Sequence, residues 1–134
     1  MTHTLFVCTA CASCQDGQRL EESGGQRLLK SIGQLHQDWP LQDQFQIQPV
    51  KCMGVCHREC AIALACMGKF TYIFGDLQGH EAPLETAAAV LHYASQYHDR
   101  QNGVVAFGDR DPRFKTGSVA RIPPVVASSV AMVP

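Results

Sequence analysis

With 134 residues, 46% of them hydrophobic, the chain is long enough for one domain with a real core and too short for two comfortable ones. A formal charge of -1 offers no field for nucleic acid or an anionic membrane surface, and no stretch is apolar for long enough to span a bilayer. Met1-Thr-His-Thr lacks the basic start and cleavage site of a signal peptide, so the chain reads as cytoplasmic. In that reducing compartment its seven cysteines, an odd number, point to ligand or redox chemistry rather than to a disulfide framework.

Taken in order, Thr4-Leu5-Phe6-Val7 is a short apolar run that reads as a buried strand delivering Cys8 at its end. A polar loop follows from Cys11 to Glu22. Ser23 and Gln26 fit a capping box, and Leu28, Leu29, Ile32, Leu35 and Trp39 then recur at helical spacing until Pro40 forbids continuation. Phe45, Ile47 and Pro49-Val50 make a second strand, with the proline marking an edge or an end. Residues 61–66 and 69–74 flank Met67-Gly68 and read as a hairpin whose turn uses a positive φ at Gly68. From Ala82 to Asp99 a second long helix has Pro83 in its first turn and Asn102-Gly103 beyond its end. The expected order is therefore β-α-β-(Cys loop)-β-β-α over residues 1–103. Residues 104–134 form a C-terminal extension, packed on the domain or partly disordered.

The segment Lys51-Cys52-Met53-Gly54-Val55-Cys56-His57-Arg58-Glu59-Cys60 is what a packed core does not explain. Three cysteines at every fourth position would share one face of a helix, but Gly54 inside the first C-x3-C instead lets the backbone fold tightly and aim N–H groups at the sulfurs. A second group, Cys8, Cys11 and Cys14, follows the first strand, and two such groups closing on one centre is the pattern of a metal or iron–sulfur site. Cys66, in an apolar run, reads as core. His57 stands between ligand candidates, yet a polar residue in a tight loop is more often solvated. Lys51, His57 and Arg58 are either a solvated basic face or cations that favour a negative centre.

On the element order and the Cys52-Met-Gly-Val-Cys56 loop, the chain resembles the thioredoxin-like [2Fe-2S] ferredoxins and the small cluster-bearing subunit of respiratory complex I. It is similar still more closely to a bacterial family of unknown function, usually labelled metal-binding, in four features. These are the early C-x2-C, the C-x3-C-x3-C run, the segment Gly68-Lys69-Phe70-Thr71-Tyr72-Ile73-Phe74-Gly75, and the ending Ala120-Arg121-Ile122-Pro123-Pro124. The resemblance implies a thioredoxin-like α/β fold. It implies Cys8, Cys52 and Cys56 as ligands, with Cys11 favoured as the fourth over the second-tier Cys14 and Cys60. It departs from the ferredoxins in the short Cys8-to-Cys11 spacing and in Glu59-Cys60, where they commonly have Gly-Pro.

Three functions compete. The first is an electron carrier with one [2Fe-2S] cluster on Cys8, Cys11, Cys52 and Cys56, exchanging electrons with a redox partner protein that the sequence does not identify. It would be no enzyme, and no nucleic acid or membrane would be involved. The second is a zinc-binding or metal-delivery module, because the same thiols supply a tetrahedral set. The third is a thiol–disulfide oxidoreductase using Cys8 and Cys11, which would benefit from a helix N-terminus beside the thiol. The first helix begins a dozen residues later, which counts against it. The related ferredoxins are dimeric, so a homodimer is a further expectation of the resemblance.

Overall fold

The computed structural model describes residues 2–15 and 17–125, the side chains of Cys14, Gln15 and Cys56 excepted. What the sequence suggested for the chain after Val125 lies outside these described residues. The elements are β1 (His3–Cys8), a small hairpin of β2 (Cys14–Gln15) and β3 (Gln18–Arg19), α1 (Gly24–His36), β4 (Phe45–Val50), β5 (Ile62–Ala65), β6 (Thr71–Phe74), α2 (Pro83–Asp99), the one-turn α3 (Arg113–Thr116) and β7 (Ser118–Ile122). Five strands form one sheet in the order β4-β1-β5-β6-β7. β1 pairs in parallel with β4, Leu5 opposite Ile47, and antiparallel with β5, Leu5 opposite Leu64. The expected hairpin is β5–β6, and Gly68 in its turn has φ +82°. The extension supplies an edge strand, since Thr71 of β6 faces Ile122 of β7.

α1 starts where its capping box places it. Ser23 Oγ accepts the Gln26 N–H at 3.0 Å, and Gln26 Oε1 accepts the Ser23 N–H at 2.8 Å. It ends at His36, short of the expected Trp39, because Pro40 disfavours helical backbone before it and the Trp39 ring turns onto Phe45 at 5.1 Å. Alternation along the strands sends Leu5, Val7, Leu64, Tyr72 and Phe74 to the face that α1 and α2 cover, where all are buried. Phe6, Ile73 and Ala120 on the other face are half-buried. At the far end of the core Lys69, itself buried, donates through Nζ to the carbonyls of Tyr97 and His98, capping the C-terminus of α2 with a cation.

Tyr72 of β6 and Tyr93 and Tyr97 of α2 are enclosed between sheet and helix, with Phe74 edge-on to Tyr93 at 4.9 Å. Burial pushes the Tyr93 hydroxyl from 10 up to about 12, although the charge of Arg110 opposes it, and burial also raises Tyr97. A raised folded pKa means that the unfolded chain releases the proton first. The tyrosines' contribution is therefore complete below pH 10 and is lost as pH climbs toward 12. Denaturant titrations at successive alkaline pH values should show the midpoint falling over that interval, as the tyrosinates of Tyr93 and Tyr97 appear with unfolding. Ionisation of Tyr93 and Tyr97 near pH 10 in the folded chain would contradict this packing.

Candidate metal centre

β1, paired between β4 and β5, brings Cys8 to its C-terminal end, and its ladder continues past the strand end. Cys8 N–H donates to Ala61 O at 3.1 Å, Thr9 N–H to Val50 O at 2.8 Å, and Ala10 N–H to Lys51 O at 3.1 Å. This zipper lays the first cysteine loop alongside the start of the second, and the Cys8 thiol lies 3.6 Å from the Lys51 carbonyl, one residue before Cys52. The loop then turns into the start of α1. Gly24 N–H donates to Ala12 O at 3.0 Å and Gly25 N–H to Cys11 O at 2.9 Å, so the Cys11–Ala12 carbonyls take N–H groups that the helix would otherwise leave unsatisfied.

Cys8, Cys11 and Cys60 form a buried nest, each about 1% exposed. Burial above all holds the Cys11 thiol well above its ordinary range. The Cys8 thiol hydrogen-bonded to it adds to the rise, a backbone bond from Ala61 partly offsets it, and the nearby Cys8 and Cys60 sulfurs raise it further. Burial pushes Cys60 up to about 11, with the Glu59 charge adding and a backbone bond from Gly79 opposing. Cys60 follows a cis peptide bond from Glu59 and directly precedes the buried Ala61-Ile62.

Cys52 is exposed on its loop, and Gly54, at φ +79°, directs its N–H to the Cys52 sulfur at 3.2 Å, as expected of a glycine at that point. Cys56 begins a 3-10 turn and Cys14 lies on β2, and neither side chain is among those described. Cys66 is buried beyond the end of β5, away from the nest. Among the described residues no group of three or more His, Cys, Asp or Glu is placed to hold a metal ion. The donors nevertheless suit a soft metal or an iron–sulfur cluster. The Cys52 sulfur receives the Gly54 N–H, a backbone hydrogen bond of the kind that steadies a thiolate.

Of the expected basic surround, Lys51 and His57 are exposed, whereas the Arg58 guanidinium is engaged by Asp76 at 2.6 Å and by the Thr116 carbonyl at 3.3 Å. Arg58 holds the Asp76 carboxyl below its usual range. Two residues to which the sequence assigned no role also touch this region. Glu59 Oε2 accepts the Ala12 N–H at 2.6 Å, and His80 Nε2 lies 2.9 Å from Ala12 O. Neither residue has a motif that could have revealed it, because the partners lie 47 and 68 positions apart in sequence.

This architecture, two β-α units with cysteines at strand ends followed by a hairpin and a closing helix, is a thioredoxin-like fold. It superposes on a thioredoxin-like [2Fe-2S] ferredoxin from Aquifex aeolicus with a TM-score of 0.55 and 16% identity, covering 93% of this chain and 97% of that one. At such identity the likeness establishes the fold alone. The chain belongs to the family described as protein of unknown function (DUF1636), whose profile matches residues 5–124. No curated protein matches it. Among the described residues no helix is long and apolar enough to cross a membrane.

Proposed function

We propose that the chain is an electron-transfer protein holding one [2Fe-2S] cluster on Cys8, Cys11, Cys52 and Cys56. The observation that carries this reading is the extended β1–β4 zipper, which sets the Cys8 thiol against the Lys51 carbonyl and so brings the two cysteine groups to one end of the sheet. A bound cluster supplies one-electron exchange. The chain supplies the setting. Buried Cys8 and Cys11 form a wall that keeps water away, and the Gly54 N–H withdraws electron density from the Cys52 sulfur, which favours the reduced state. Cys52 is exposed while Cys8 and Cys11 are not, so a redox partner protein approaches from the Cys52 side. The fold of the ferredoxin that superposes on this chain supports the same reading.

The test is protein purified without oxygen, analysed for iron, acid-labile sulfide and zinc, and then reduced for electron paramagnetic resonance. About two irons and two sulfides per chain with a reducible signal are expected. One zinc per chain, without sulfide or signal, would replace the cluster with a zinc module.

A further inference from the structure

The turn between the first cysteine group and α1 is held from two directions by groups remote in sequence. Ala12, next to Cys11, has φ +57°, a conformation that an alanine keeps only when its surroundings impose it. Its N–H is taken by the Glu59 carboxylate from the second cysteine loop. Its carbonyl accepts the Gly24 N–H and faces the His80 ring from the loop after β6. Arg27 of α1 has only donors, and its Nη1 lies 3.3 Å from His80 Nδ1; Nδ1 therefore accepts, and Nε2–H donates to Ala12. Beyond this clamp lies a solvent-connected hollow of about 220 Å3, lined by Ala12, Glu59, Cys60, Leu77, Gly79 and His80.

We infer that Glu59 and His80 are positioning residues for the metal centre, clamping the Ala12 peptide from opposite sides so that Cys11 stays in the buried nest and sealed from the hollow. The inference deepens the electron-carrier reading, since Cys11 is one of the ligands assigned there. With the clamp in place the Cys11 sulfur is held facing Cys8 before any metal arrives. Without it, Ala12 can leave the left-handed region, and Cys11 turns toward the hollow.

The experiment uses the reduced, metal-free full chain and iodoacetamide, with alkylation followed at each cysteine by peptide mass mapping. Glu59→Ala and His80→Ala should each speed alkylation at Cys11 by about tenfold, the scale of one lost charge-assisted or buried hydrogen bond. Cys66, at the other end of β5, should react at the wild-type rate and so report on global opening. Glu59→Gln keeps an acceptor for the Ala12 N–H and should stay within about threefold of wild type. Unchanged Cys11 rates in both alanine variants, or Cys66 rates rising in step, would overturn the clamp. No metal enters this measurement, so a chain that proves to bind zinc leaves the clamp standing, and a failed clamp leaves the cluster assignment untouched.

Discussion

Cys52→Ser and Cys56→Ser should each empty the metal centre, whereas Cys66→Ala should leave it fully loaded. A serine hydroxyl is a hard, weak donor that does not replace a thiolate on a soft metal. Cys66 lies in the packed layer beyond β5, where losing a small side chain costs on the order of 1 kcal/mol and spares the fold. Cys11→Ser should lose more metal than Cys14→Ser or Cys60→Ser. Cys11 is buried with Cys8 and its carbonyl is held by the Gly25 N–H at the start of α1, while Cys60 lines the hollow. Metal and sulfide per chain after anaerobic reconstitution decide the matter. A centre retained in Cys52→Ser but lost in Cys66→Ala would move the site elsewhere.

A methyl group at position 25 should be the most damaging small substitution in α1. A Cβ built on Gly25 would stand 2.0 Å from the Cys8 carbonyl oxygen and 3.2 Å from the Thr9 Cα, both backbone atoms held by the β1–β4 zipper. Relief requires the helix to move off the strand, so Gly25→Ala should destabilise by about 3 kcal/mol, the upper range of overpacking. Gly33, exposed in the same helix with nothing within 4 Å of its would-be Cβ, makes the control. Gly33→Ala should stabilise by up to about 1 kcal/mol through helix propensity alone. Urea denaturation of the two variants reads the difference as midpoints moving in opposite directions. Similar midpoints would mean that α1 does not approach Cys8 as closely as described.

What could be read from the sequence followed from local regularity. The Ser23–Gln26 box and the apolar spacing through Leu28 and Ile32 gave α1, and the runs around Met67-Gly68 gave the β5–β6 hairpin, because these signals lie within one element. Gly54 was legible for the same reason, since its positive φ serves a sulfur two residues away. β7 was not foreseen as a strand, because Pro123-Pro124 masked an edge strand whose pairing depends on β6 already being in place. The helix start counted against thiol activation on sequence distance, yet the fold sets the α1 N-terminus beside Cys11. The N–H groups of Gly24 and Gly25 are nonetheless taken by the Ala12 and Cys11 carbonyls. Cys60 remained undecided because nothing local distinguishes a thiol that folds back onto Cys8 and Cys11 from one that points to solvent.

β1 is flanked on both sides, by β4 and by β5, so its C-terminal end cannot loosen without tearing a strand out of the middle of the sheet. The wall made by Cys8 is therefore as durable as the whole domain, while the loop through Cys52 and Gly54 is exposed and can open by itself. On the proposed reading, a metal arriving at this end would meet one rigid jaw and one pliable jaw. The ordering entropy of capture falls almost entirely on the second cysteine loop, at roughly 1–2 kcal/mol for each residue fixed. Residues that stiffen that loop should thus govern how tightly the centre is held, and residues under β1 should govern whether there is a folded protein to hold it.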